Sequence, residues 1–209
     1  MRVVLLFLAF QMLTAGCRRS PAAPPPPPAC PTCAQAKLTN KWCDKCQIGY
    51  VAGVPIECKI LFETLDAHGH ELVLSAIDCP DCQAAIRTDG FCEKCRIGWV
   101  HNLAYFSRLT YHLAKGTPSD PARISCLACR RNARKYGWCD SCGAGMIGNV
   151  AIRNRNDFAG GCRGYDLMMS AIEASKRCEV CALVILTDTS CFRCKKQYKD
   201  GKVVPPPPR

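Results

Sequence analysis

Residues 79–103 read CPDCQAAIRTDGFCEKCRIGWVHNL. Two C-x2-C pairs, Cys79/Cys82 and Cys92/Cys95, stand nine residues apart. The same spacing recurs at Cys30, Cys33, Cys43, Cys46, at Cys126, Cys129, Cys139, Cys142 and at Cys178, Cys181, Cys191, Cys194. An aromatic residue precedes the third cysteine as Trp42, Phe91 and Trp138, with Ser190 in the fourth copy. Ile48-Gly49-Tyr50-Val51, Ile97-Gly98-Trp99-Val100 and Ala144-Gly145-Met146-Ile147 follow the last cysteine. Next come Ala52-Gly53, His101-Asn102, Gly148-Asn149 and Asp200-Gly201, and then the apolar residues Val54, Leu103, Val150 and Val203-Val204. All but His101-Asn102 are dipeptides that readily accept positive φ, as a two-residue β-hairpin requires. Each repeat therefore reads as two metal knuckles and a short hairpin, and the fourth is expected to be complete.

The chemistry explains the spacing. A C-x2-C turn aims two sulfurs at one centre, and a second turn closes a tetrahedral site that leaves no position for water, so the metal is structural. The nine residues between the pairs are expected to form a hairpin that folds the second turn over the first. In these features the sequence resembles the zinc-ribbon and rubredoxin-knuckle class. The resemblance implies four tandem zinc ribbons, small metal-stabilised modules of short β-hairpins joined by partly helical connectors, with about four zinc ions per chain. Three other readings of the cysteines arise. Haem attachment needs His after the second cysteine of a pair, and none is present. Iron also suits four thiolates. Disulfides form where an exported protein meets an oxidising compartment.

The connectors carry helical stripes. Phe106, Leu109 and Leu113 share one face, with Gly116 and Pro118 as a stop. Phe158, Cys162, Tyr165, Met169 and Ile172 share another, where Gly160, Gly161 and Gly164 are expected to weaken the helix. Cys58, Phe62 and Leu65 form a shorter stripe. Cys58 and Cys162 lie outside the doublets and read as small core residues, with a disulfide between them, or a reactive thiol, as the sharper reading. Stretches such as 61–70 and 107–114 resemble those of bacterial multi-ribbon proteins, a resemblance that implies no activity.

The chain has 209 residues and 19 cysteines, and little apolar material remains for one large core. Its formal charge is +11, but each four-thiolate site with a divalent ion carries −2, so four sites leave about +3. Nucleic acid is thus not an expected partner. At the N-terminus Arg2, the apolar run Val3 to Leu13 and Leu13-Thr14-Ala15-Gly16-Cys17 form a secretory signal. The last five residues resemble the lipobox of bacterial lipoproteins, with Thr14 where the motif usually has Leu. That resemblance implies cleavage after Gly16, lipidation of Cys17, and a lipid-anchored protein of the bacterial cell envelope. Its partners would be the membrane and a protein or other envelope component. The expected divisions are a signal peptide (1–16), a lipidated cysteine and Pro-rich tether (17–29), modules with their connectors (30–78, 79–125, 126–177), a fourth module (178–204) and a Pro-rich tail (205–209).

No phosphate loop, nucleophile elbow or H-E-x2-H helix occurs, so no catalytic constellation is identifiable. His68-Gly69-His70 reads as a polar loop or, more sharply, as a transition-metal pair. Glu63, Asp66 and Glu71 lie nearby in sequence. Arg130, Arg131, Arg134 and Lys135 form a basic run suited to an anionic surface. Two function classes follow. One is a non-catalytic binding or scaffold protein of the envelope cemented by metal. The other is a thiol redox, metal-handling or iron-based electron-transfer protein.

Overall fold

The computed structural model describes residues 30–205. The signal peptide, Cys17 and the tether lie outside the described residues, as does the tail from 206 onward. No helix among the described residues is long and apolar enough to cross a membrane.

Each module opens with a helix: α1 (Pro31–Thr39), α3 (Pro80–Thr88), α5 (Leu127–Asn132) and α7 (Glu179–Thr187). The first cysteine of each doublet is the N-cap of that helix and the second lies in its first turn. The expected hairpin between the pairs is therefore corrected to a helix. Pro31 and Pro80 occupy the first helical position, where the missing N–H costs nothing and the fixed φ suits the helix.

A three-stranded antiparallel meander follows each helix. The strands are β1 (Trp42–Cys43), β2 (Ile48–Val51) and β3 (Val54–Ile56) in the first module. In the second they are β5 (Phe91–Cys92), β6 (Ile97–Val100) and β7 (Leu103–Tyr105). The third has β9 (Tyr136–Cys139), β10 (Ala144–Ile147) and β11 (Val150–Ile152), and the fourth β12 (Ser190–Cys191), β13 (Lys196–Lys199) and β14 (Lys202–Val204). The hairpins turn where the sequence placed them, with Val51 opposite Val54, Val100 opposite Leu103, Ile147 opposite Val150 and Lys199 opposite Lys202. Both turn residues have positive φ at Ala52-Gly53, His101-Asn102 and Asp200-Gly201.

Two connectors donate a further strand to the module after them. β4 (His70–Glu71) pairs with β7, and β8 (Thr117–Pro118) pairs with β11. The connector helices are α2 (Lys59–Leu65), α4 (Arg108–Ala114) and α6 (Arg155–Ser175). Leu109, Leu113 and Leu65 are buried as the stripes predict, whereas Phe106 precedes α4 and is exposed.

In α6 the buried line runs through Asp157, Gly160, Gly161, Tyr165, Met168 and Ala171, so Met169 faces outward. The glycines do not interrupt this helix of 21 residues. A Cβ at Gly160 would strike the ring of His112, and one at Gly164 would come within 2.7 Å of Leu109 Cβ. They are where α4 crosses α6.

Sequence composition suggested separate small cores, but the structure joins the modules. One buried cluster gathers Val51, Ile56 and Leu61 from the first, Leu109 and Leu113 from the second connector, Ile147 and Met168 from the third, and Ile185 and Tyr198 from the fourth. The turns of modules one and three also meet: the Asn149 N–H donates to the Ala52 carbonyl and its side chain to the Lys37 carbonyl, both at 2.9 Å.

Candidate metal centres

In each module the helix N-terminus and the corner between the first two strands of the meander bring the doublet to one point. In all four groups the sulfur atoms lie within 4.8 Å of one another. The first and third sulfurs are 3.9 Å apart in Cys30/Cys43, Cys79/Cys92 and Cys178/Cys191, and 3.8 Å apart in Cys126/Cys139. Metal–sulfur bonds of about 2.3 Å in a tetrahedron give an edge of about 3.8 Å. A disulfide would need about 2.0 Å, and all the described cysteines are free. Four tetracysteine sites that could each hold a metal ion thus stand in tandem. The third cysteine is buried in each, and the fourth, Cys46, Cys95, Cys142 or Cys194, is exposed.

The second pair is a true knuckle. Backbone N–H groups of Cys95 and Cys194 donate to the sulfurs of Cys92 and Cys191 at 3.4 and 3.3 Å. The residue after the fourth cysteine takes positive φ at Gln47, Arg96, Gly143 and Lys195, which closes the corner.

The electrostatics suit a cation. Cys30 makes no capping hydrogen bond of standard geometry, yet the Cys33 N–H holds its thiol down at about 6. The N–H of Cys82 does the same for Cys79, at about 7, and that of Cys129 for Cys126, at about 6. Burial is the largest influence on Cys191 and opposes its ionisation, but hydrogen bonds from the N–H groups of Cys194 and Arg193 and from the Cys181 and Cys178 thiols together bring it down to about 7. Other thiols in each group move the opposite way. Cys46 and Cys194 are pushed up to about 12 by hydrogen bonds with neighbouring thiols, and Cys82 to about 12 by burial first. Burial also raises Cys129. Each group thus holds one sulfur close to ionisation at neutral pH, and its raised thiols would ionise when a cation offsets the mutual repulsion.

Some of the surroundings were readable and some were not. Trp42, Phe91 and Trp138 pack against Phe62, Tyr111 and Phe158 from the following connector helix, at 5.4 Å between ring centroids. Lys59, Arg108 and Arg155 lie over the same three rings. A Cβ at Gly49, Gly98 or Gly145 would collide with those connector aromatics. The repeat therefore extends into the connector. Where Ser190 replaces the aromatic, Gln197 replaces the glycine. Sequence reading also missed Asn40, Asp89 and Asp188. These are left-handed residues at the helix ends whose side chains accept from the hairpin-turn N–H of Ala52, His101 and Asp200 at 2.8–2.9 Å. Their signal was the Asn or Asp seven residues after the second cysteine.

The remaining candidates fall outside these groups. Cys58 caps α2, half-buried, and Cys162 lies half-buried in α6, its thiol pushed up to about 11 by burial. His68 and His70 meet at Asp66, while Glu63 pairs with Lys59. His101 is exposed in its turn, and His112 contacts the buried Asp157. In the basic run, Arg130 donates to the Ile124 carbonyl and Lys135 lies over Tyr136.

No protein-family model, curated protein or solved structure matches the chain. The class is therefore defined by its sites: tandem four-cysteine modules, each a capped helix and a knuckled meander, fused through shared packing.

Proposed function

We propose that the chain is a zinc-binding lipoprotein of the bacterial cell envelope, acting as a non-catalytic binding or scaffold protein whose metal is structural. The observation that carries this reading is the fourfold recurrence of a closed four-cysteine group at tetrahedral spacing. Cys30, Cys33, Cys43 and Cys46 would hold one ion, and so in turn would Cys79, Cys82, Cys92 and Cys95, Cys126, Cys129, Cys139 and Cys142, and Cys178, Cys181, Cys191 and Cys194. Such an ion supplies folding free energy and no open coordination position. Zinc is favoured over iron because a d¹⁰ ion accepts this geometry without redox chemistry.

Elemental analysis with a free-thiol count on the purified body tests this. Four zinc ions and sixteen blocked thiols are expected; metal-free protein with disulfides would overturn it. Anchoring rests on Leu13 to Cys17 and the proline run after it. A Cys17→Ser chain should leave the membrane fraction on detergent partitioning, and continued partitioning would refute lipidation.

The exposed fourth sulfur of each group favours a second reading, a metal-handling or thiol redox protein. Rapid loss of metal to a mild chelator, or rapid oxidation, would select it.

A further inference from the structure

We propose that Asp66, His68 and His70 form a fifth metal site, open to solvent, for a late first-row divalent cation such as Zn²⁺. It is separate in ligand chemistry from the four-cysteine groups and does not depend on what those hold. Three donors of different residues converge: a carboxylate oxygen and two imidazole nitrogens all lie within 4.8 Å of one another. His70 Nε2 lies 2.7 Å from Asp66 Oδ2, and His68 Nδ1 lies 3.3 Å from Asp66 Oδ1. The two rings are 4.5 Å apart at their centroids.

The backbone fixes two of the three donors. Asp66 ends α2 in the left-handed conformation, tied by its N–H to the Phe62 carbonyl. His70 is held in β4, opposite Ala104 of the next module. Gly69 between the histidines has no room for a side chain, since a Cβ there would lie 2.8 Å from Leu103 and from the Tyr105 hydroxyl. The loop is thus pinned to the second module's sheet.

Charge and polarity also favour a cation. Asp66 is only 19% exposed, yet among the described residues its ion-pair contacts are these two histidines and no lysine or arginine. The Phe106 ring lies 5.0 Å from that of His70. His68 is 72% exposed, so solvent reaches the site. Borderline divalent ions accept imidazole and carboxylate together, at bond lengths of about 2.0–2.2 Å. Three protein donors leave a position for water or an incoming ligand, as closed thiolate sites do not. The ion is therefore expected to exchange readily.

The test titrates Zn²⁺ into the full chain after metal loading and removal of loose ions, at about pH 8 where an ordinary imidazole is neutral. Calorimetry and metal analysis should show one more ion per chain, bound more weakly than any thiolate-held metal. His68→Gln should weaken it by about tenfold or more, and His70→Gln should abolish it. Glu71→Gln, the exposed carboxylate next to His70, should leave it unchanged. No further ion, or full binding in either histidine variant, would overturn the proposal. His68 is a surface side chain, so His68→Gln decides the matter even if His70→Gln disturbs the fold. Because uptake is counted beyond whatever the cysteines already hold, failure of the zinc reading of the four-cysteine groups leaves this result legible.

Discussion

Cys30, Cys79, Cys126 and Cys191 are the sulfurs nearest to ionisation at neutral pH. The folded value of Cys30, about 6, lies below the ordinary 9.0, so its contribution is complete above pH 9 and is lost as pH falls through about 6. Metal uptake by the empty first module at pH 7 should accordingly release fewer than four protons per ion, which a weakly buffered titration with a pH indicator measures. Below pH 6 uptake should release all four protons, so affinity should fall more steeply with acid there than at pH 7. Cys139→Ser with Cys142→Ser should remove one metal equivalent in native mass spectrometry and leave the rest. The gathering of the sixteen cysteines into four groups was legible because C-x2-C spacing is a local property. The meeting of Asp66 with His68 and His70 was not, because it depends on a helix end and a strand docked on another module.

Among the elements, the hairpins were legible from their dipeptides, but the first C-x2-C pair was misread as a knuckle. Proline directly after Cys30 and Cys79 was the available signal, since proline at the first position starts a helix. The glycines of α6 were misread for a different reason. Helix propensity counts them as a cost, whereas here they permit contact with α4. Gly164→Ala should improve local propensity and still destabilise the protein by about 1–3 kcal/mol, because the new methyl meets Leu109. A lower denaturation midpoint with unchanged metal content is the expected result. A raised midpoint would show that α4 can shift to make room.

Across the whole molecule, the apolar residues of the shared core come from separate connectors, and no window of sequence displays them together. Their distribution makes the four sites unequal. Cys181 and Cys191 of the fourth module belong to the shared cluster, whereas Cys82 and Cys92 pack with Ala85, Trp99 and Ala104 in a small cluster of their own. Cys191→Ser with Cys194→Ser should therefore lower hydrogen-exchange protection in α7 and also in α6 and α2, which pack on it. Cys92→Ser with Cys95→Ser should lower protection in α3, the β5–β7 meander and the β4 and α4 segments packed on it, and leave α7 protected. Equal, local losses in both variants would mean that the core holds without the fourth metal.

The three tryptophans fall one to each of the first three modules: Trp42 beside Phe62 and Lys59, Trp99 fully buried, and Trp138 beside Phe158 and Arg155. Each indole thus reports on its own site with its own fluorescence. In chains that keep one tryptophan and carry phenylalanine at the other two positions, the emission wavelength and quenching would follow a single module as chelator is added. The fourth module has no indole and would stay dark, so its opening would be seen only through neighbours that lose their packing.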